Sequence, residues 1–78
     1  MIDINKRLRN IFSEVFKITD IALPVNPEQR IIEQWDSLSH LILIMAVESE
    51  FNIRFKTEKI PQLISLKLIE EEIENDRK

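Results

Sequence analysis

Trp35-Asp36-Ser37-Leu38-Ser39-His40-Leu41-Ile42-Leu43-Ile44-Met45-Ala46-Val47-Glu48-Ser49-Glu50-Phe51 is the stretch that decides how this chain folds. It contains neither glycine nor proline, and residues 41–47 are apolar without interruption. Leucine, methionine, alanine and glutamate favour a helix, and an aspartate just ahead of them can accept hydrogen bonds from the free amides of a first helical turn. The stretch therefore predicts a helix over residues 37–51. At 3.6 residues per turn, His40, Leu43, Ile44, Val47 and Phe51 fall on one side, with Leu38, Ile42, Met45 and Ser49 opposite. One side packs inward. The other is an apolar strip of the kind that marks a protein-docking surface, for a transient partner or for a second copy. A bundle wrapping the helix on both sides is the alternative, and so short a chain has few residues with which to do it.

Upstream, two of the three prolines stand in Leu23-Pro24-Val25-Asn26-Pro27 and mark one long loop. Before that loop, Ile4, Leu8, Ile11, Phe12, Val15 and Phe16 recur at three- and four-residue spacing, with Lys6, Arg7, Asn10, Ser13 and Glu14 mostly outside. The pattern predicts an amphipathic helix over residues 4–17. Downstream, strand-like alternation is confined to Asn52-Ile53-Arg54-Phe55, too short to build a sheet. Thr57 is a candidate cap for a short third element, which Pro61 keeps from being a regular helix. Ser65 can cap a last helix in which Leu66, Ile69 and Ile73 share one face, while Glu70, Glu71, Glu72 and Glu74 form a solvated one. The expected fold is all-α, a single domain over residues 1–78 built as a small bundle of three main helices plus one short irregular helix.

Composition narrows the function. With 78 residues there is room for one modest core and no second domain to enclose a substrate cleft. Hydrophobic residues at 44% and charged residues at 32% describe a folding chain, not a disordered one. There is no cysteine, which excludes a disulfide framework and a thiolate metal site. A net charge of -3 argues against nucleic acid or an anionic membrane as partner and favours a basic protein surface. Asp3, Lys6, Arg7 and Arg9 interrupt the N-terminal segment, so it does not read as a signal peptide, and the apolar run at 41–47 is too short to span a bilayer. A cytoplasmic monomer is expected.

The segment Trp35-Asp36-Ser37-Leu38-Ser39-His40-Leu41, continued through Met45-Ala46-Val47-Glu48-Ser49-Glu50-Phe51 to Phe55, resembles the acyl carrier proteins, with their Asp-Ser-Leu motif ahead of a helix that ends in acids and phenylalanine. The resemblance covers nearly the whole chain. It implies that Ser37 is the attachment point of 4'-phosphopantetheine, taken from coenzyme A by a phosphopantetheinyl transferase, and that Asp36 helps engage that transferase. It further implies a carrier of acyl or aminoacyl groups, held as thioesters and shown to acyl-loading and acyl-using enzymes of fatty acid or secondary-metabolite biosynthesis. Such a protein is not itself an enzyme. A phosphodiester at residue 37 would lie beside unpaired amides at the positive end of a helix dipole. Leu38, Ile42, Met45 and Glu48 are the residues expected to meet partners, and Asp36 has a second reading as a helix cap.

The chain departs from the family at two places. Gln34 stands where many members have glycine, with Trp35 beside it, so the approach to the helix should be stiff, its indole packed on the loop or touching partners. Ser39 and Ile42 replace acids common at the helix start, which points to dedicated partners with an apolar docking site. Two readings compete with the carrier. Ser37 and His40 are close enough in sequence to suggest a nucleophile and base, but there is no Gly-x-Ser-x-Gly elbow and His40 lies on the inward side, where it reads as a packing residue; the resemblance implies that this position lies near the mouth of a cavity that can shelter an acyl chain. The other is a helical protein-interaction module with no prosthetic group, docking through the same apolar strip.

Overall fold

The protein is described here by a computed structural model covering residues 4–76. It consists of helices α1 (Ile4–Phe16), α2 (Ser37–Phe51) and α3 (Leu66–Asp76), with short 3-10 helices at Asp20–Ala22 and Thr57–Gln62. Among the described residues the only β contact is an isolated bridge between Glu28 and Ser65, so the fold is all-α as the apolar spacing predicts. Helix α1 packs against both α2 and α3. It buries Leu8, Ile11, Phe12 and Phe16, α2 adds Leu43, Ile44 and Val47, and α3 closes the core with Leu66, Ile69 and Ile73. Leu23, Ile32, Trp35, Phe55 and Leu63 from the connecting segments complete the apolar cluster. No helix among the described residues is long and apolar enough to cross a membrane.

With no glycine in the chain, helix ends that need a left-handed residue must use another side chain. Lys17 takes that conformation at φ 58°, ending α1 one residue before the predicted boundary, and the Ile18 amide turns back to donate to the Ser13 carbonyl at 3.2 Å. Helix α2 ends the same way, with Asn52 at φ 55° and the Ile53 amide donating to the Glu48 carbonyl at 3.1 Å. Thr57, expected as a cap, is instead the first residue of the 3-10 helix, which follows Lys56 with no side-chain cap. Pro61 lies inside that helix. The tighter i to i+3 pattern accommodates it near the end, where the Leu63 amide still reaches the Ile60 carbonyl at 3.2 Å.

The long loop between α1 and α2 is held by two sets of bonds. Arg9 gathers its first half: Nε donates to Asp20 Oδ1 at 2.9 Å, Nη1 to the Pro24 carbonyl at 2.7 Å, and Nη2 to the carbonyls of Asp20 at 3.0 Å and Leu23 at 3.2 Å. Its second half is laced to the start of α3. The Leu66 amide donates to the Pro27 carbonyl and the Gln29 amide to the Ile64 carbonyl, both at 2.9 Å. Asn26 Oδ1 accepts from the Lys67 amide at 3.0 Å. Ser65 Oγ accepts from the Leu68 amide at 3.1 Å, the cap its position predicts. A rigid platform therefore leads into α2.

Candidate functional site

Asp36 sits just outside α2 in an extended conformation and closes a reciprocal cap with Ser39. Asp36 Oδ1 accepts from the Ser39 amide at 2.9 Å, and Ser39 Oγ accepts from the Asp36 amide at 2.8 Å. The Ser39 hydroxyl in turn donates to the Gln34 carbonyl at 2.8 Å. The Ser39 amide, and then the rest of the cap, hold the Asp36 carboxyl below its usual value of 3.8. The charge remains exposed beside residue 37. Ser39 is thus a structural part of the helix start.

Against that fixed frame Ser37 is exposed, and its hydroxyl has no hydrogen-bond partner among the described residues. The other serines differ from it in kind. Ser39 is tied into the cap, Ser13 bonds the Ile18 carbonyl, and Ser65 is buried under its capping bond. Ser49 is exposed but stands near the C-terminal end of α2, away from the free amides of the first turn. Only Ser37 combines an accessible, uncommitted hydroxyl with the positive end of the helix.

Behind Ser37 lies a buried polar relay that sequence periodicity did not disclose. Trp35 is 3% exposed, its ring 5.3 Å from those of Phe12 and Phe16, so the indole belongs to the core and not to a partner surface. Its Nε1 donates to His40 Nδ1 at 2.9 Å, and His40 Nε2 lies 2.7 Å from the Ile60 carbonyl oxygen. An indole nitrogen can only donate. Nδ1 is therefore the acceptor, Nε2 carries the proton and donates to Ile60, and the neutral tautomer is set by its two partners. With both nitrogens committed, His40 has no free lone pair to offer Ser37. Its ring stacks on the indole at 5.9 Å, which makes it the packing residue expected. A groove of about 360 Å³, lined by Gln29, Ser37, His40, Leu41, Ile60 and Pro61, opens beside the serine.

The two sides of α2 separate cleanly. Leu43, Ile44 and Val47 are at most 2% exposed, whereas Leu38 is 70%, Ile42 49% and Met45 67% exposed, with Leu41 beside them at 52%. The bundle does not wrap the helix on both sides. The strip carries no charge from Leu38 to Met45, and the acids at its far end are engaged. Half-buried Glu48 accepts from the Phe55 amide at 2.8 Å, fastening the segment after α2, and Glu50 pairs with Arg7 at 2.7 Å. Phe51, on the inward side of the wheel, is half-buried beneath the Arg7 guanidinium, 4.4 Å from its ring centre. No group of three or more potential metal ligands occurs among the described residues. The chain matches no protein-family model and no curated protein.

Proposed function

We propose that this protein is an acyl carrier whose attachment residue is Ser37. One observation supports the reading above the rest: the hydroxyl of Ser37 is exposed and uncommitted at the first turn of α2, while its neighbours Asp36 and Ser39 are tied into the helix cap. A 4'-phosphopantetheine group fits those residues. Its phosphodiester suits the amides and dipole of the α2 start, and the groove of about 360 Å³ that includes Ser37 in its lining lies beside the attachment point. When bound, the group supplies a mobile thiol that holds an acyl or aminoacyl chain as a thioester.

In attachment, Ser37 Oγ forms a bond to the phosphorus of the coenzyme A pyrophosphate that bears the pantetheine. The bond from that phosphorus to the bridging oxygen breaks, the adenosine portion leaves with the other phosphate, and the hydroxyl proton passes to a base of the transferase. Asp36, kept charged by its cap, stands beside the reacting oxygen and can meet a cation brought by that transferase. Leu38, Leu41, Ile42 and Met45 then supply an apolar docking face for loading and using enzymes. The same strip is what favours the second reading, an interaction module with no prosthetic group.

Intact mass separates the two. Incubated with coenzyme A and a broad-specificity phosphopantetheinyl transferase, the protein is expected to gain one phosphopantetheine, mapped to Ser37, and Ser37→Ala to stay folded and unmodified. A group found on Ser49, or no gain with several transferases, leaves the interaction module as the better account.

A further inference from the structure

Moving inward beside Ser37, burial rises in steps. Leu41 and Pro61 are exposed, Ile60 is half-buried, His40 is 8% exposed, and Trp35 and Phe12 lie behind it in the core. The two hydrogen bonds of His40 lie across that path. They join the loop before α2, α2 itself and the 3-10 helix Thr57–Gln62 through a single imidazole. Access from the groove to the core requires the imidazole and the Ile60 carbonyl to part, which leaves buried polar groups without partners. The groove thus ends on the His40 ring, and its volume of about 360 Å³ stands near the small end of the ~300–1,000 Å³ range of ligand pockets.

We infer that His40, latched between Trp35 and Ile60, is the floor of this groove and keeps an apolar chain attached at residue 37 out of the core. In biological terms this deepens the carrier reading and rests on it: the carried acyl group stays in the outer groove or in solvent, which suits short or polar acyl groups and not long alkyl chains. His40 is then a specificity-determining residue that acts on the depth of the cargo and not on its chemistry.

Because the chain has no cysteine, Ser37→Cys creates a unique attachment point that needs no transferase. Its thiolate displaces methanesulfinate from an alkyl methanethiosulfonate and forms one disulfide, placing a butyl, octyl or dodecyl chain at the site. With His40 present, each chain is expected to shift the NMR signals of Leu41 and Ile60 while the Trp35 indole and Phe12 ring signals stay in place, and the melting temperature should not depend on chain length. Adding His40→Ala should let the octyl and dodecyl chains move the Trp35 and Phe12 signals and raise the melting temperature above that of the butyl form. If His40→Ala does not fold, Trp35→Phe, which deletes the indole donor but keeps an aromatic ring, should let the dodecyl chain move the Phe12 signals. A dodecyl chain that perturbs Trp35 and Phe12 with the latch intact overturns the inference, as does a folded latch variant that treats all chain lengths alike. Failure of coenzyme A to modify Ser37 counts against the carrier reading alone, since the disulfide-linked chains report on the latch without it.

Discussion

On α1 the outward positions include Lys6, Asn10 and Glu14; on α2 they are Leu38, Leu41, Ile42 and Met45. Both helices line the same core, and each gives it a row of fully buried side chains. Polar side chains cover the outside of α1 as on any surface helix, whereas α2 leaves four neighbouring apolar side chains in water. Single exposed apolar residues are ordinary. A continuous strip on one helix contributes little to the isolated fold, and strips of this kind commonly mark interaction surfaces. The difference teaches that hydrophobicity marks the core only when it is periodic; where it is continuous, as in α2, the surplus points to an encounter.

The comparison is tested most severely from the inside. Phe12→Ala should cost about 3–5 kcal/mol and Leu43→Ala about 2–5 kcal/mol, because each removes a fully buried side chain and leaves a cavity. Against a total stability of roughly 5–15 kcal/mol for a domain, either change brings this small protein close to unfolding. Urea titration measures both. A cost below about 1 kcal/mol at Leu43 would mean that α2 does not pack by the face assigned to it.

The outer face should respond in the opposite sense. Ile42→Glu is expected to change stability by no more than about 0.5 kcal/mol, as at other surface positions. Burial of such a side chain against a partner is worth about 1.5–3 kcal/mol, so docking to a loading enzyme should weaken by roughly one to two orders of magnitude. Glu48→Gln should have the smaller effect on docking, since its carboxylate already serves the Phe55 amide and an amide oxygen can still accept that bond. Thermal unfolding run beside a loading assay decides the point. Unfolding of Ile42→Glu, or unimpaired loading by it, would each defeat the docking face.

These two faces were legible in the sequence because helical periodicity is a local property, and the caps at Asp36 and Ser65 were legible for the same reason. What was not legible is carried by pairings across long separations. His40 could be placed on the inner side of α2, but nothing near it names Ile60, twenty residues on, as the carbonyl that holds it. Arg9 shows no sign in its own helix that its guanidinium will organise the loop carbonyls of Asp20, Leu23 and Pro24. Asn26, read only as loop, caps a helix forty-one residues further along. Thr57 failed as a cap because residue type alone gives no backbone geometry at a 3-10 start.

The absence of glycine from this chain sharpens the comparison at the helix ends. Both Lys17 and Asn52 are left-handed, which costs an ordinary side chain roughly 1–2 kcal/mol, whereas asparagine tolerates it through local hydrogen bonding. Glycine removes the strain but adds about 0.5–1 kcal/mol of unfolded-state entropy. Lys17→Gly should therefore stabilise by about 0.5–1 kcal/mol, and Asn52→Gly should be close to neutral. Equal gains at both sites would show that asparagine is no better suited than lysine to this turn.

The smallest effect belongs to the start of α2 and vanishes at neutral pH. Asparagine caps helices about as well as aspartate, so Asp36→Asn should leave the melting temperature near pH 7 almost unchanged. The acid side differs. The folded Asp36 carboxyl is held below its ordinary value of 3.8, chiefly by the Ser39 amide. A depressed carboxyl contributes stability that is fully present above the unfolded value and lost as pH falls through the folded one. The wild-type protein should therefore lose this contribution below pH 3.8, while Asp36→Asn, having no proton to bind there, should decline less steeply over the same window. Because Asp36 is exposed, added salt should shrink whatever part of the difference comes from the helix dipole and spare the part that comes from the hydrogen bond. Acid titration curves of the two proteins that run parallel below pH 3.8 would show that the Asp36–Ser39 cap does not hold its charge in solution, and would remove the fixed anion from beside Ser37.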